Sequence, residues 1–354
     1  TTEEAAAPNS DYQVTHQTGN GDTSSSLGSY TTADTTTNSG TSGSGGSDTI
    51  EAYTVSNAGS TTEYRAYNTS GNVSTNNALT GITNPRSAVT SGDTIYAGAE
   101  DNSGNPTVYV LNRSTGDITN SYNVHAAGEN PIQALDTDGT YVYTGASDNT
   151  VKKTNPETGN VEWSYNMSGA VTDLEVGPDG NIYAADNSGT VEKLASDGTS
   201  TQSALANGAV TALTVGENGN VYVADKQSGF STTVTIREFN SDTGNQDWST
   251  THSDPITTLE YNDATSEVVA GDTTGTVLRY GTDGTLKNSV NPDAASSGGM
   301  TGAPTDVADI KTDSSGSVFV TKANDTYKLA SDLTLDWRYT HMDGDHLAPI
   351  ALNE

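Results

Sequence analysis

A hairpin-and-turn pattern that returns about every 40 to 45 residues, a second strand pair ahead of each hairpin, and a C-terminal stretch that opens one more such unit together predict an all-β fold. Four antiparallel strands in that length make one blade of a β-propeller. The count of units predicts a seven-bladed ring over residues 48–354, preceded by an extended low-complexity N-terminal arm, residues 1–47.

The hairpins read "VYVLNRSTGDITNSY" (108–122), "VKKTNPETGNVEWSY" (151–165), "VEKLASDGTSTQS" (191–203), "IREFNSDTGNQDWST" (236–250) and "VLRYGTDGTLKNS" (277–289). Each is a strand, a polar turn closed by glycine, and a second strand. Gly116, Gly159, Gly198, Gly244 and Gly284 stand where such a turn demands positive φ. Ahead of each hairpin lies a strand rich in β-branched and aromatic residues, such as "YVYTG" (141–145), "NIYAAD" (181–186) and "NVYVAD" (220–225), as expected of buried strands. The strand before that reads "IQALD" (132–136), "VTDLEV" (171–176), "VTALTV" (210–215), "ITTLEY" (256–261) or "VADIKT" (307–312), joined to its partner by a tight polar turn.

Two fragments remain at the ends. "YRAYNTSGNVST" (64–75) overlays the other hairpins, with Gly71 in the place of Gly159, but its blade has no first strand. The C-terminal "APIALNE" (348–354) supplies it: Pro349 and Ile350 stand where Pro131-Ile132 and Pro255-Ile256 open their blades. Proline suits a strand's first position, where a missing N–H leaves no ladder bond empty. The ring is therefore expected to close by pairing its last strand with its first three, which removes the open edges of an unclosed array.

The 45 acidic residues against 14 Lys and Arg, net charge −31, are scattered between strand-like stretches and do not form a block. At ordinary ionic strength, with a Debye length of roughly 8–10 Å, such self-repulsion opposes compaction; in molar salt the length falls to about 3 Å. With Asp commoner than Glu and Lys scarce, the sequence reads as halophilic. It offers no basic stripe for nucleic acid or anionic membrane. With no cysteine, disulfides and thiolate metal sites are excluded. No stretch approaches the roughly 20 apolar residues of a spanning helix, and the first residues lack a signal-like core.

At "TGNVEW" (158–163) and "TGNQDW" (243–248) the chain resembles the PQQ-like propeller superfamily, in an acidic, haloarchaeal-type variant; Trp337 in "LTLDWRY" (333–339) matches without the glycine. The resemblance implies that Trp163, Trp248 and Trp337 pack on the neighbouring blade. The family's quinone-dependent enzymes need a cofactor cluster, a calcium constellation and often a cysteine pair, none of which is recognisable here. What the resemblance implies is a scaffold, with no cofactor.

His125, His252, His341 and His346 all fall in connections between one blade's fourth strand and the next blade's first, on one face of the ring. With Asp343 and Asp345 they form a candidate recognition face, against the plainer reading that polar loops contain histidines by chance. Sitting at separate junctions, they are not expected to share a metal. The long connection 291–306 is a candidate partner contact or a tolerated insertion. "DTDG" (136–139) begins like a calcium loop but lacks later ligands and reads as a turn. Sequons at Asn68, Asn72, Asn112, Asn166 and Asn324 are as many as an Asn- and Ser/Thr-rich chain produces by chance. No phosphate loop, HExxH pair or nucleophile elbow is found.

Residues 1–47 hold too little apolar surface for a core and are expected to order against other subunits, in preference to the ring's own outer surface. The resulting expectation is a non-enzymatic structural or adhesion subunit of a halophilic virus particle (capsid, turret or tail) or cell surface, meeting a host-surface protein or glycan. The alternative is a secreted or surface scaffold of a halophilic archaeon that binds proteins or glycans.

Overall fold

The computed structural model describes residues 49–58, 61–126, 128, 130–226, 234–295, 306–322, 325–341 and 349–353. The arm at 1–47, Asp343, Asp345, His346 and most of the 291–306 connection lie outside them. In chain order the strands are β1 (Ile50–Ala58), β2 (Thr61–Asn68) and β3 (Val73–Leu79); β4 (Ile82–Ser91), β5 (Thr94–Asp101), β6 (Pro106–Asn112) and β7 (Ile118–Asn123); β8 (Ile132–Thr137), β9 (Val142–Ala146), β10 (Thr150–Thr154) and β11 (Val161–Asn166); β12 (Val171–Val176), β13 (Ile182–Asp186), β14 (Thr190–Leu194) and β15 (Ser200–Leu205). They continue with β16 (Ala209–Val215), β17 (Val221–Lys226), β18 (Val234–Phe239) and β19 (Gln246–His252); β20 (Ile256–Asn262), β21 (Glu267–Asp272), β22 (Val277–Gly281) and β23 (Leu286–Val290); β24 (Val307–Thr312), β25 (Val318–Lys322), β26 (Asp325–Leu329) and β27 (Leu335–Thr340); and β28 (Ile350–Leu352).

Among the described residues these form seven antiparallel four-stranded sheets, and the first has the order β28-β1-β2-β3. Ala52, Tyr53 and Thr54 of β1 face Leu352, Ala351 and Ile350 of β28. The C-terminal strand thus serves as the inner strand of blade 1, and blades 2 to 7 follow as β4–β7 through β24–β27. Each inner strand touches the next, from β4 through β8, β12, β16, β20 and β24 to β28 and back to β4. The ring is closed.

Burial follows position in the blade. The second strands β9, β13 and β25 are buried along their whole length because other blades cover both faces, which is why they read as unbroken apolar runs. The outer strands β7 and β11 instead alternate exposed and half-buried positions. β4 is longer than the other inner strands: it runs from Ile82 to Ser91, with a register shift between Thr83 and Ser87. Pro85, which has no N–H to donate, sits in that irregular stretch.

All six predicted turn glycines have positive φ, from 67° at Gly244 to 83° at Gly198. A second constraint acts on them. A Cβ on Gly198 would lie 2.7 Å from the Trp163 ring of the preceding blade; on Gly284, 2.6 Å from Trp248; on Gly71, 2.6 Å from Trp337. The tryptophan–blade packing is therefore a ring laid on the next blade's turn. Trp163 Nε1 donates to Ser196 O (3.0 Å) and Trp248 Nε1 to Thr282 O (2.6 Å), whereas Trp337 Nε1 is buried without a hydrogen-bond partner. Blade 6 has Asn288 at the tryptophan position, and its Nδ2 makes the matching bond to Asp332 O (2.8 Å). There the following turn carries Leu333 at φ 68° in place of glycine, tucked into the core at 2% exposure.

Candidate functional site

The inner strands form one edge of every sheet, so their outward N–H groups have no ladder partner. Side chains from the preceding blade fill that need. Asp136 Oδ2 accepts from Val176 N (2.7 Å), Asp173 Oδ2 from Leu213 N (2.7 Å), Glu175 Oε2 from Val215 N (3.2 Å) and Asp309 Oδ2 from Ile350 N (3.0 Å). Hydroxyls serve the carbonyls: Thr90, Thr211 and Thr257 Oγ1 donate to Leu352, Ile256 and Val307 O at 2.6, 2.8 and 2.6 Å. Successive inner strands are stapled together around the axis.

The same carboxylates face one another within the ring. Lys311 Nζ lies 2.9 Å from Glu260 Oε2 and also feels Asp309 and Glu175, while Asp173 feels Lys311 and Asp309 from a distant blade. These side chains are half-exposed, and they project from the inner strands, which touch one another around the ring and enclose them on both sides. Burial therefore pushes Asp173 up to about 6 despite the N–H groups of Leu213 and Leu174. Glu175, Glu260 and Asp309 are raised for the same reason, with Lys311 opposing, and the Lys311 ammonium is held well above its usual range by these carboxylates despite its own burial.

A raised carboxyl stabilises the fold fully below its unfolded pKa, about 3.8 for Asp173, and that stabilisation is lost as pH rises through about 6. Burial also raises Asp148 and Asp179, but hydrogen bonds, chiefly from His125 and Lys193, hold both below the usual range; their contribution is lost only as pH falls through those low values. Between about pH 5 and 8 the channel should dominate, so the ring should melt higher at the acidic end. Lys311→Met should cost about 1–3 kcal/mol near pH 8, less than a fully buried pair because Lys311 is partly exposed. The deficit should shrink near pH 5 as the carboxylates take up protons. Thermal melts of both chains at the two pH values test this, and a deficit independent of pH would refute it.

The sequence-predicted histidines separate. His125 is buried: Nε2 lies 2.9 Å from Thr144 Oγ1, and Nδ1 lies 3.1 Å from Asp148 and 3.0 Å from Thr150 Oγ1. His341 is also buried; its Nδ1 accepts from Arg65 (2.7 Å), and its Nε2 lies 2.9 Å from Thr326 Oγ1 and 3.2 Å from Tyr67 OH. Neither presents a free imidazole on a face. His252 is half-buried, with Nε2 3.2 Å from Asp272 Oδ2.

"DTDG" forms a turn: Asp138 Oδ1 accepts from Thr140 N (2.8 Å) and Tyr141 N (2.7 Å), while Asp136 reaches the next blade. The described start of the long connection is pinned to blade 7, where Asp293 meets Lys322 (2.6 Å) and Tyr327. The channel carboxylates were not singled out from sequence. Their visible signal is a carboxylate at alternate positions of strands that must be inner ones.

A family model described as outer membrane protein assembly factor BamB, of the PQQ-like repeat type, matches residues 62–175. No curated protein matches the chain. Among solved structures, the computationally designed Ika8 protein is similar at 19% identity over 85% of this chain and 90% of that one, with a TM-score of 0.59. The WD40 β-propeller domain of Doa1 is similar at 15% identity over 82% and 90%, with a TM-score of 0.61. At these identities the likeness is one of fold.

Proposed function

We propose that this seven-bladed β-propeller, whose residues 62–175 match a PQQ-like repeat model, acts as a non-enzymatic display body: a structural or adhesion subunit of a virus particle or cell surface in a high-salt environment. The observation that carries this reading is where the ring's chemistry-bearing groups are used. His125 and His341 are held inside the blades, and the inner-strand carboxylates staple one blade to the next. What is left for recognition is a rigid frame with variable connections, the arrangement that suits binding on loops.

The net charge of −31 supports the high-salt setting, since dense carboxylates keep a surface hydrated and are screened there. Attachment through residues 1–47 is part of the proposal. Mass measurement by light scattering on the full chain in molar salt should find assemblies larger than one chain, and limited proteolysis should find the arm protected within them. Monomers with a freely cleaved arm would overturn the reading. The match to a model named for an assembly factor favours a second reading, a surface scaffold that binds proteins or glycans. A defined monomer that captures such a partner through the ring alone would select it.

A further inference from the structure

His252 ends the outer strand of blade 5, Asp254 lies in the connection to blade 6, and Asp272 ends the second strand of blade 6. Their ligand atoms all lie within 4.8 Å of one another. We propose that these three side chains bind one divalent first-row transition-metal ion of the Zn2+ class, clipping blade 5 to blade 6.

The repeat shows what is special here. In blade 4 the counterpart Asp186 has both oxygens capped locally: Oδ1 accepts from Ser188 N (2.9 Å) and Thr190 N (2.8 Å), and Oδ2 from the backbone N–H of Gly169 (2.8 Å). Asp272 keeps the first half of that arrangement, with Oδ1 held by Thr274 N, Thr274 Oγ1 and Thr276 N at 2.7–2.8 Å. Its Oδ2 is turned instead toward the His252 imidazole, 3.2 Å from Nε2, and the Asp254 carboxylate lies within 4.8 Å of this pair. The Asp272 side chain is 2% exposed, so its direction is set by the fold. Two carboxylates brought this close repel unless a cation lies between them.

The outer partners fit as well. His252 Nδ1 faces Tyr280 OH at 3.5 Å, which leaves Nε2 for the metal, and a ligating histidine commonly directs its other nitrogen to such an acceptor. Pro255 restricts the backbone of Asp254, and its carbonyl accepts from Thr273 N (2.9 Å), tying the connection to the Asp272 turn. One imidazole and two carboxylates with solvent at the fourth position suit Zn2+ better than the harder Mg2+ or Ca2+, which favour all-oxygen shells. His125 lacks this arrangement: a single carboxylate, Asp148, lies on its Nδ1, and its Nε2 meets the Thr144 hydroxyl inside blade 3.

The test is calorimetric titration of the EDTA-treated full chain with Zn2+ in molar NaCl, which screens the scattered surface carboxylates. One ion per chain is expected, with a rise in melting temperature on saturation. His252→Gln and Asp254→Asn should each weaken binding at least tenfold while melting like the unaltered chain without Zn2+; Asp93→Asn, at an exposed turn, should bind as before. Co2+ provides a second readout through visible absorption that His252→Gln should abolish. Failure to find a saturable one-ion step, or unchanged affinity in both His252→Gln and Asp254→Asn, would overturn the proposal.

Discussion

Removing residues 349–354 should abolish the cooperative melt of the ring. Three residues of β28 do several things at once. Ile350, Ala351 and Leu352 are at most 5% exposed, and the two large side chains alone contribute about 3–6 kcal/mol of apolar burial. Their strand completes the ladder of β1, donates Ile350 N to Asp309, and accepts through Leu352 O from Thr90. Without it, blade 1 has three strands, β1 presents an open edge, and blades 7 and 2 lose the inner strand between them. Against a total stability of about 5–15 kcal/mol, losing all of this together leaves little margin. The truncated chain should show no sharp thermal transition and should aggregate through the exposed edge. A transition within about 5 °C of the intact chain would show that closure by β28 is not what holds the ring. Ile350→Asp, which places a carboxylate in an apolar site beside Asp309, should move the melt in the same direction by a smaller step.

The architecture was legible because propeller strands obey a simple rule. A strand covered on both faces reads as an unbroken apolar run, and the outer strand reads as alternation; "NIYAAD" and "VEWSYN" display the two cases. The half-blade at each end was legible for the same reason, since Pro349-Ile350 repeats the opening of two other blades. The candidate sites were less so. Nothing in "NVHAAG" (123–128) shows that Thr144, Asp148 and Thr150 from later strands will enclose His125, because that enclosure depends on which strand lies beside which. The channel staples were hidden by abundance: in a chain with 45 acidic residues, Asp173 and Glu175 look like any others. Their distinction is that each reaches a backbone N–H one blade away, a regularity that emerges only once the inner strands are known. Leu333 was missed because a turn without glycine does not advertise positive φ; its neighbour Asn288 explains why a side chain is tolerated there.

That contrast yields the last prediction. Gly198→Ala should destabilise the ring by about 2–4 kcal/mol, combining the strain of φ 83° on a residue with a Cβ and the overlap of that Cβ with the Trp163 ring at 2.7 Å. The two parts can be separated. Trp163→Ala alone should also destabilise, since it empties a blade junction and removes the Nε1 bond to Ser196 O. If the ring is what makes Gly198 indispensable, Trp163→Ala and Gly198→Ala together should cost less than the sum of the two, because the added methyl then points into vacated space. If backbone strain alone decides, the costs should add, and the packing account of the glycine fails. The strain share can be read from denaturant unfolding of the double variant against Trp163→Ala, where it should fall to about 1 kcal/mol. The junction of blades 6 and 7 already holds the natural version of that double change: the Asn288 amide of blade 6 in place of the indole, and Leu333 in the left-handed turn of blade 7, filling the space.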